Sequence, residues 1–391
     1  MKATLQRTRI LLLVESSSIC GRQTLEGIGR FNHDHRQWSF VFREQGLGEL
    51  SLRELNQMRV DGVISRLNTL RSVRLLRDSG LPMVDLYGHI KTGKSQVTLD
   101  EKALARMAAE HFLERNINNL GFFAMRNERW MQDRLAAFLD YLRALGHPCH
   151  SFLPSNRSSR KQDEASRLAE IITWLQSLPK PVGILCAADM EALALLDACQ
   201  QAGIAVPDQV AVLGVDNDPV ICSVSSPSLS SIETNAQRMG YEAASLLSRI
   251  MKGGKHSSSC LHFSPIEVVT RESTDFLAVA DPAVVQAIRL IGQLACKGVG
   301  VSHIADHVLM CRRTLERRFK AVLGRTLKQE ILRVKIEQAK MLLLQRNYPM
   351  KRICDLSGFT SLYDFSRAFR RETGSTPGQF RRLRNPGPHR L

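Results

Sequence analysis

Two sets of side chains in this 391-residue chain have types and spacings suited to chemistry. The first is cationic. Arg312, Arg313, Glu316, Arg317 and Lys320 share one face of a helical pattern over 312–322. Tyr363, Asp364, Arg367, Arg370 and Arg371 do the same over 361–373, after a capping Ser361. Leu315 with Phe319, and Phe365 with Phe369, stand four apart and line the opposite, apolar faces. A basic face on an anchored helix suits a polyanion, because guanidiniums can reach O6 and N7 of guanine or pair with phosphates. The second set is acidic. Asp216-Asn217-Asp218 follows the apolar run Val210–Val215. Open parallel sheets bind ligands beyond the carboxyl ends of their strands, and a carboxylate there can accept hydrogen bonds from a sugar's paired hydroxyls. From these residues alone, a surface turn capped by Asp is an equal alternative. Trp130 is also open, between stacking on a pyranose face and filling a core gap.

Charge separates the chain into two parts. Residues 276–391 carry 22 Lys+Arg against 8 Asp+Glu, whereas residues 1–275 carry 32 against 30. Nearly all of the net +16 therefore sits in the last part, interleaved with apolar periodicity, which favours a polyanionic partner over a solubilising tail. Nine scattered cysteines with no C-x-x-C pair indicate neither a disulfide framework nor a metal site, and suit a reducing cytoplasm. No apolar run reaches 18 residues, so no membrane span is expected. The apolar run ended by Glu15 is too short for a signal segment and reads as a buried first strand. The histidines form no metal or triad spacing, and the chain reads as having no G-x-S-x-G, no P-loop and no H-E-x-x-H motif. No catalytic residues and no cofactor are expected, so the chain does not read as an enzyme. Gly27-Ile28-Gly29 lies in a helical pattern without nucleotide-binding spacing.

The elements that must position these groups follow from periodicity. Up to about residue 275, strand-like runs (9–14, 38–43, 62–65, 83–86, 120–125, 181–186 and 210–215) alternate with amphipathic helical stretches. This predicts parallel sheets in two lobes with helices on both faces, with a break between the lobes near 116–119. Residues 265–271 form a last strand, and Asp189 reads as a helix cap. From Asp281, a cap followed by Pro282, only helical periods remain. The predicted domains are 1–275 and 276–391. The second contains a near-repeat, with helix-turn-helix motifs at about 301–322 and 350–373. A continuous helix over 327–344 would span about 27 Å at about 1.5 Å per residue. That could hold two reading heads near the ~34 Å spacing of successive major grooves on one DNA face.

The segments VSHIADHVLMCRRTLERRFKAVLGRTLKQEI, RVKIEQAKMLL and SGFTSLYDFSRAFRRETGSTPGQFR resemble the two-motif DNA-binding domain of AraC/XylS-type transcription regulators. Gly358-Phe359, Phe365, Arg367, Phe369, Gly374, Pro377 and Phe380-Arg381 fit that pattern. Cys311 departs from it where a Ser usually caps the first recognition helix, as does Leu356 where a smaller residue is common. The resemblance implies a double-stranded DNA operator read through the basic faces named above.

Residues 8–273 resemble the periplasmic-binding-protein-like (type I) effector domain of LacI/GalR-type regulators. The likeness runs through Val60-Asp61-Gly62-Val63-Ile64, Arg134-Leu135-Ala136-Ala137-Phe138, Gly214-x-Asp216-Asn217 and Pro227-x-Leu229-Ser230-Ser231-Ile232. The predicted fold is thus a two-lobed α/β domain followed by an all-α domain with two helix-turn-helix motifs. This resemblance implies a monosaccharide effector, xylose or a similar pentose, held by Asp216, Arg134 and Asn217 from one lobe. Ser16 and Ser17 would contribute from the other, and Trp130 joins the candidate set. Ala188 departs from members that place a polar residue there. A homodimer that activates transcription is expected, with RNA polymerase as a further partner. Repression, or a different small ligand, stays open.

Overall fold

The runs TRILLL and VAVLGV are apolar almost throughout, as strands buried on both faces of a parallel sheet require. In the computed structural model both are interior strands. It describes residues 8–36, 38–43, 51–66, 70–87, 95–154, 164–253, 260–275, 281–344 and 348–384. The chain divides into two units, Met1–Ala278 and Val279–Leu391.

The first unit has two lobes. The first lobe begins with β1 (Thr8–Leu13), α1 (Ile19–His35), β2 (Trp38–Phe42), α2 (Leu52–Gln57), β3 (Gly62–Arg66), α3 (Leu70–Asp78), β4 (Met83–Leu86) and β5 (Ser95–Leu99). The chain then crosses to the second lobe. There it forms α4 (Glu101–Leu113), β6 (Asn119–Phe123), α5 (Arg129–Ala144), β7 (Cys149–Phe152), α6 (Glu164–Ser177) and β8 (Val182–Cys186). This lobe continues through α7 (Asp189–Gln201), β9 (Val210–Val215), α8 (Pro219–Val224) and β10 (Ser230–Glu233). Next, α9 (Ala236–Met251) and β11 (Cys260–Phe263) return to the first lobe, and β12 (Glu267–Val269) rejoins the second. The sheet orders are β11-β5-β4-β3-β1-β2 and β12-β10-β9-β8-β6-β7, parallel except for β12. The three crossings lie close together: Asp100 N–H donates to Phe263 O and Ile266 N–H to Glu233 O, each at 2.8 Å.

This interleaving corrects the expected break near 116–119. The change of lobe precedes α4, which packs on α5 and β12. The short strands β5, β7, β10 and β11 escape sequence detection because runs such as SQVTL and CHSF mix polar and apolar residues. A second correction concerns the P-loop read as absent: Gly88, Gly93, Lys94 and Ser95 do match the G-x-x-x-x-G-K-S spacing of a phosphate-binding loop. That chemistry needs a helix N-terminus after the loop, but Ser95 opens strand β5. Residues 88–94 lie outside the described residues, as do 254–259 and 276–280.

Gly27 has a packing role. A Cβ there would lie 1.9 Å from Gln237 O, and one at Gly240 would lie 2.0 Å from Thr24 O. The two glycines let α1 and α9 cross backbone to backbone. Gly29, by contrast, has nothing within 4 Å of a built Cβ.

The second unit contains α10 (Pro282–Leu294), α11 (Val301–His307), α12 (Arg312–Leu323), α13 (Leu327–Leu344), α14 (Met350–Leu356), α15 (Leu362–Thr373) and α16 (Pro377–Arg384). Asp281 caps α10 through the amides of Ala283 and Val284. The internal repeat is physical. Leu315 and Phe319 enter one core with Leu327 and Ile331, whereas Phe365 and Phe369 enter another with Ile336, Ala339, Leu342 and Leu343. One helix, α13, therefore gives its first half to one head and its second half to the other. Thr326 with Gln329 forms a capping box, and Thr376 with Gln379 repeats it. The two turns differ. The left-handed position is Gly358 in the second head (φ 74°) but Leu309 in the first (φ 55°), where Leu309 is 94% exposed. A Cβ on Gly358 would also lie 2.7 Å from the Cys296 Cα.

Two outcomes follow for thermal or urea melting of the full chain. Gly27→Ala should destabilise the first unit by about 1–3 kcal/mol through backbone overlap, whereas Gly29→Ala should stabilise it by about 0.5–1 kcal/mol. Gly358→Ala should cost the second unit at least about 2 kcal/mol, whereas Leu309→Gly should be neutral or stabilising by about 1 kcal/mol. Equal responses within either pair would refute the packing described.

Candidate effector cleft and nucleic-acid interface

Each sheet of the first unit reverses strand order around the strand next to its edge: β2-β1-β3 in one lobe and β7-β6-β8 in the other. Ligand crevices form at such switch points. Charged residues from both lobes collect at these strand ends. Glu15 follows β1, Arg66 ends β3, Asp216 follows β9, Arg134 lies on α5 and Glu101 opens α4.

Arg134 is only 5% exposed. Its Nε and Nη2 donate to the two Glu101 carboxylate oxygens at 2.8 and 2.9 Å, and Nη1 donates to Ala187 O. Burial raises the Asp216 carboxyl above the usual range, while Arg134 and then Arg66 pull it back down. Arg66 pairs with Glu15 through Nη1. Among the described residues, its buried Nε–H meets no acceptor. The Arg66 guanidinium lies 4.7 Å from the Tyr87 ring centroid and 5.9 Å from that of Trp130, and Arg134 lies 5.3 Å from Trp130 on the second lobe. Aromatic faces and guanidiniums thus alternate from one lobe to the other. Trp130 sits in the first turn of α5, which starts at Arg129, and its Nε1–H donates to Glu128 at 2.8 Å.

The structure brings Asp216, Arg134 and Trp130 near one another. The other expected contacts have partners within the first unit. Ser16 and Ser17 offer their carbonyls to Arg22 Nη1 at 2.9 and 2.8 Å, and Arg22 Nη2 reaches across the lobes to Asp218 at 3.5 Å. The Asn217 carboxamide oxygen accepts from Arg271 at 2.8 Å. Asp189 is not the cap of α7; Ala188 holds that position. Asp189 is instead buried, 3% exposed, behind the 216–218 turn, with its carboxyl pushed up to about 8 by burial and then by Asp216. Sequence reasoning missed Arg66, Arg22, Tyr87 and Glu101. The available signal at Arg66 was a lone cation closing an apolar strand, the counterpart of Asp216 after β9.

In the second unit, Arg312, Arg313, Arg317 and Lys320 are exposed on α12, and Glu316 is half-buried and paired with Arg312 at 3.0 Å. On α15, Tyr363 is 71% exposed, and Asp364, Arg367, Arg370 and Arg371 are exposed too. Tyr363, Arg367, Arg370 and Arg371 line a shallow groove with Ser366 and Thr376. Ser361 caps α15, accepting from the amides of Tyr363 and Asp364 at 3.2 and 3.4 Å. Cys311, at the matching position of α12, bonds the Thr314 hydroxyl and caps no amide. Lys335 of α13 donates to Gly358 O at 2.7 Å and lies 5.5 Å from the Phe359 ring centroid, fixing the second turn to the shared helix.

Comparison with known proteins agrees with this division. Residues 109–274 match the periplasmic binding protein-like domain and residues 304–383 match a helix-turn-helix domain. The xylose operon regulatory protein of Haemophilus influenzae is 31% identical over 387 residues, covering 97% of this chain and 99% of that protein. Its namesake from Escherichia coli K12 is 30% identical over 390 residues, covering 96% and 97%. A solved structure described as a xylose-binding transcription activator superposes with a TM-score of 0.65 at 28% identity, covering 97% of this chain and 99% of that one. A regulator in complex with cellobiose shares the fold of the first unit, at 20% identity and a TM-score of 0.55 over 68% of this chain and 84% of that one. With two lobes around a charged cleft, two basic reading heads and near-complete coverage of these regulators, the chain belongs to the xylose operon regulatory protein family.

Proposed function

We propose that this protein is a sugar-responsive, sequence-specific transcription activator whose effector is D-xylose or a similar pentose. The observation that carries this reading is Asp216, held at the lobe junction with Arg134 on its own lobe and Arg66 on the other. A carboxylate beside guanidinium donors suits a neutral polyol, whose hydroxyls both donate and accept. The orphan Arg66 Nε–H supports an oxygen-bearing ligand. Trp130 offers a ring face for the sugar's C–H surface. Asp216 and Arg134 are proposed as direct contacts, with Asn217, Ser16 and Ser17 shaping the site through their backbone and local bonds. Relatives bearing the xylose operon name support the choice of sugar.

DNA contact is assigned to the exposed basic residues of α12 and α15, with Arg367 the first choice for reading bases. The protein acts in the cytoplasm, performs no reaction of its own, and engages RNA polymerase once bound at an operator. It functions as a homodimer. Met190 on α7 and Val220 and Val224 on α8 are exposed apolar side chains on neighbouring helices suited to such an interface.

D-xylose should raise the melting temperature of the full chain, by an amount equivalent to about 2.7 kcal/mol at one hundred times Kd. Asp216→Asn should abolish that shift. No response to any pentose would sink the effector assignment. For DNA, a duplex selected by this protein from a random pool should bind with an affinity that falls linearly in log–log against salt. Arg367→Ala should weaken specific binding by about 1–3 kcal/mol and relax the preference at one position. Salt-insensitive binding would contradict the interface.

A further inference from the structure

We infer that Asp189 is a positioning residue for the effector site, setting the place of the Asp216 carboxylate without touching the effector. The inference rests on the effector reading above and extends it to a residue buried behind the site.

The turn after β9 is conformationally demanding. Asp216 has φ 102° and Asn217 φ 51°, values that side-chain-bearing residues seldom adopt. Such a turn persists only when its surroundings over-determine it. Its three amides have three separate acceptors. Asp216 N–H donates to Ile232 O at 2.9 Å, Asn217 N–H to Ser231 Oγ at 2.9 Å, and Asp218 N–H to Asp189 Oδ2 at 2.7 Å. Ser231 Oγ in turn donates to Asp189 Oδ1 at 2.5 Å. Asp189 therefore holds the last amide directly and the middle one through Ser231. Only the first amide is held by the regular sheet.

The neighbouring sequence is built around that carboxyl group. A Cβ on Gly214 would lie 2.1 Å from Asp189 Oδ1, so this position in β9 must stay bare for the carboxyl to reach the turn. Asp218, fixed by Asp189, caps α8 at the Val220 and Ile221 amides and faces Arg22 across the lobes. One buried group thus braces both the effector carboxylate and the residue that meets the opposite lobe. Burial raises the Asp189 carboxyl to about 8, and Asn keeps its shape while turning one of its two acceptors into a donor. An Asn can accept from Asp218 N–H through Oδ1 and donate to Ser231 Oγ through its amide.

Calorimetric titration of the full chain with D-xylose, well below the melting temperature, provides the first test. Asp189→Ala should weaken binding at least tenfold, and Asp189→Asn should stay within threefold of the wild type. Hydrogen exchange of the peptide spanning 213–219, without sugar, reads the turn itself. Its amides should lose protection in Asp189→Ala and keep it in Asp189→Asn. A lowered melting temperature with unchanged affinity and unchanged exchange would mean a merely structural role and overturn the inference. Equal losses in the Asn and Ala variants would overturn it too. If Asp189→Ala does not fold, Ser231→Ala replaces it, with binding weakened several-fold and faster exchange at Asn217; wild-type behaviour there would overturn the inference. If wild-type protein ignores every pentose, the effector reading fails, while the exchange result still decides the role of Asp189.

Discussion

A carboxylate partly withdrawn from water is best met by cations, and the first unit is arranged to meet that demand at the half-buried Asp216. One cation comes from α5 of the same lobe and the other from the end of β3 in the opposite lobe. Each cation has its own carboxylate partner, Glu101 for Arg134 and Glu15 for Arg66. The alternation of charge fixes both guanidiniums in orientation and leaves the cleft close to electroneutral. It also ties the lobes together, because the Arg66 guanidinium faces the Trp130 ring of the other lobe. A ligand can shift the balance between arrangements of the lobes only through its different affinity for each. Groups that straddle the junction, Arg66 and the Arg22–Asp218 pair, are where such a difference arises.

The second unit solves another problem, that of keeping two reading heads in a set relation. The shared helix α13 does so by contributing to both cores. Glu330, 1% exposed, is held ionised on that helix by Arg333 and Arg325, its carboxyl lowered below the usual range despite burial. The heads are not equal. The second has Gly358 in its turn and a capping Ser361, whereas the first has Leu309 and a non-capping Cys311. The less favourable local chemistry thus falls in the first head.

Much of this was legible in the sequence. The apolar strands announced the parallel sheets, and the pairs Leu315/Phe319 and Phe365/Phe369 announced the two heads and their buried faces. Asp216 was visible as a carboxylate at a strand end. What stayed hidden depends on chain return. Nothing local says that α9 leaves the second lobe to pack on α1, so Gly27 looked unremarkable and the lobe break was misplaced. Arg66, Tyr87 and Glu101 gather from elements far apart in sequence. Asp189 sits where a cap would sit, and only the position of Gly214 and Ser231 behind the turn reveals its partners. The spacing from Gly88 to Ser95 shows the converse: a motif match carries no chemistry when a strand follows it instead of a helix.

The most direct test of the central claim uses Trp130, which lies between Arg66 and Arg134 in the cleft. Replacing Trp38 and Trp174 by Phe leaves it as the sole indole, since the chain has three Trp. Titrating that protein with D-xylose should change the Trp130 emission saturably, at the same midpoint as the calorimetric binding curve. An unchanged Trp130 spectrum while calorimetry reports saturation would place the sugar elsewhere and contradict the account.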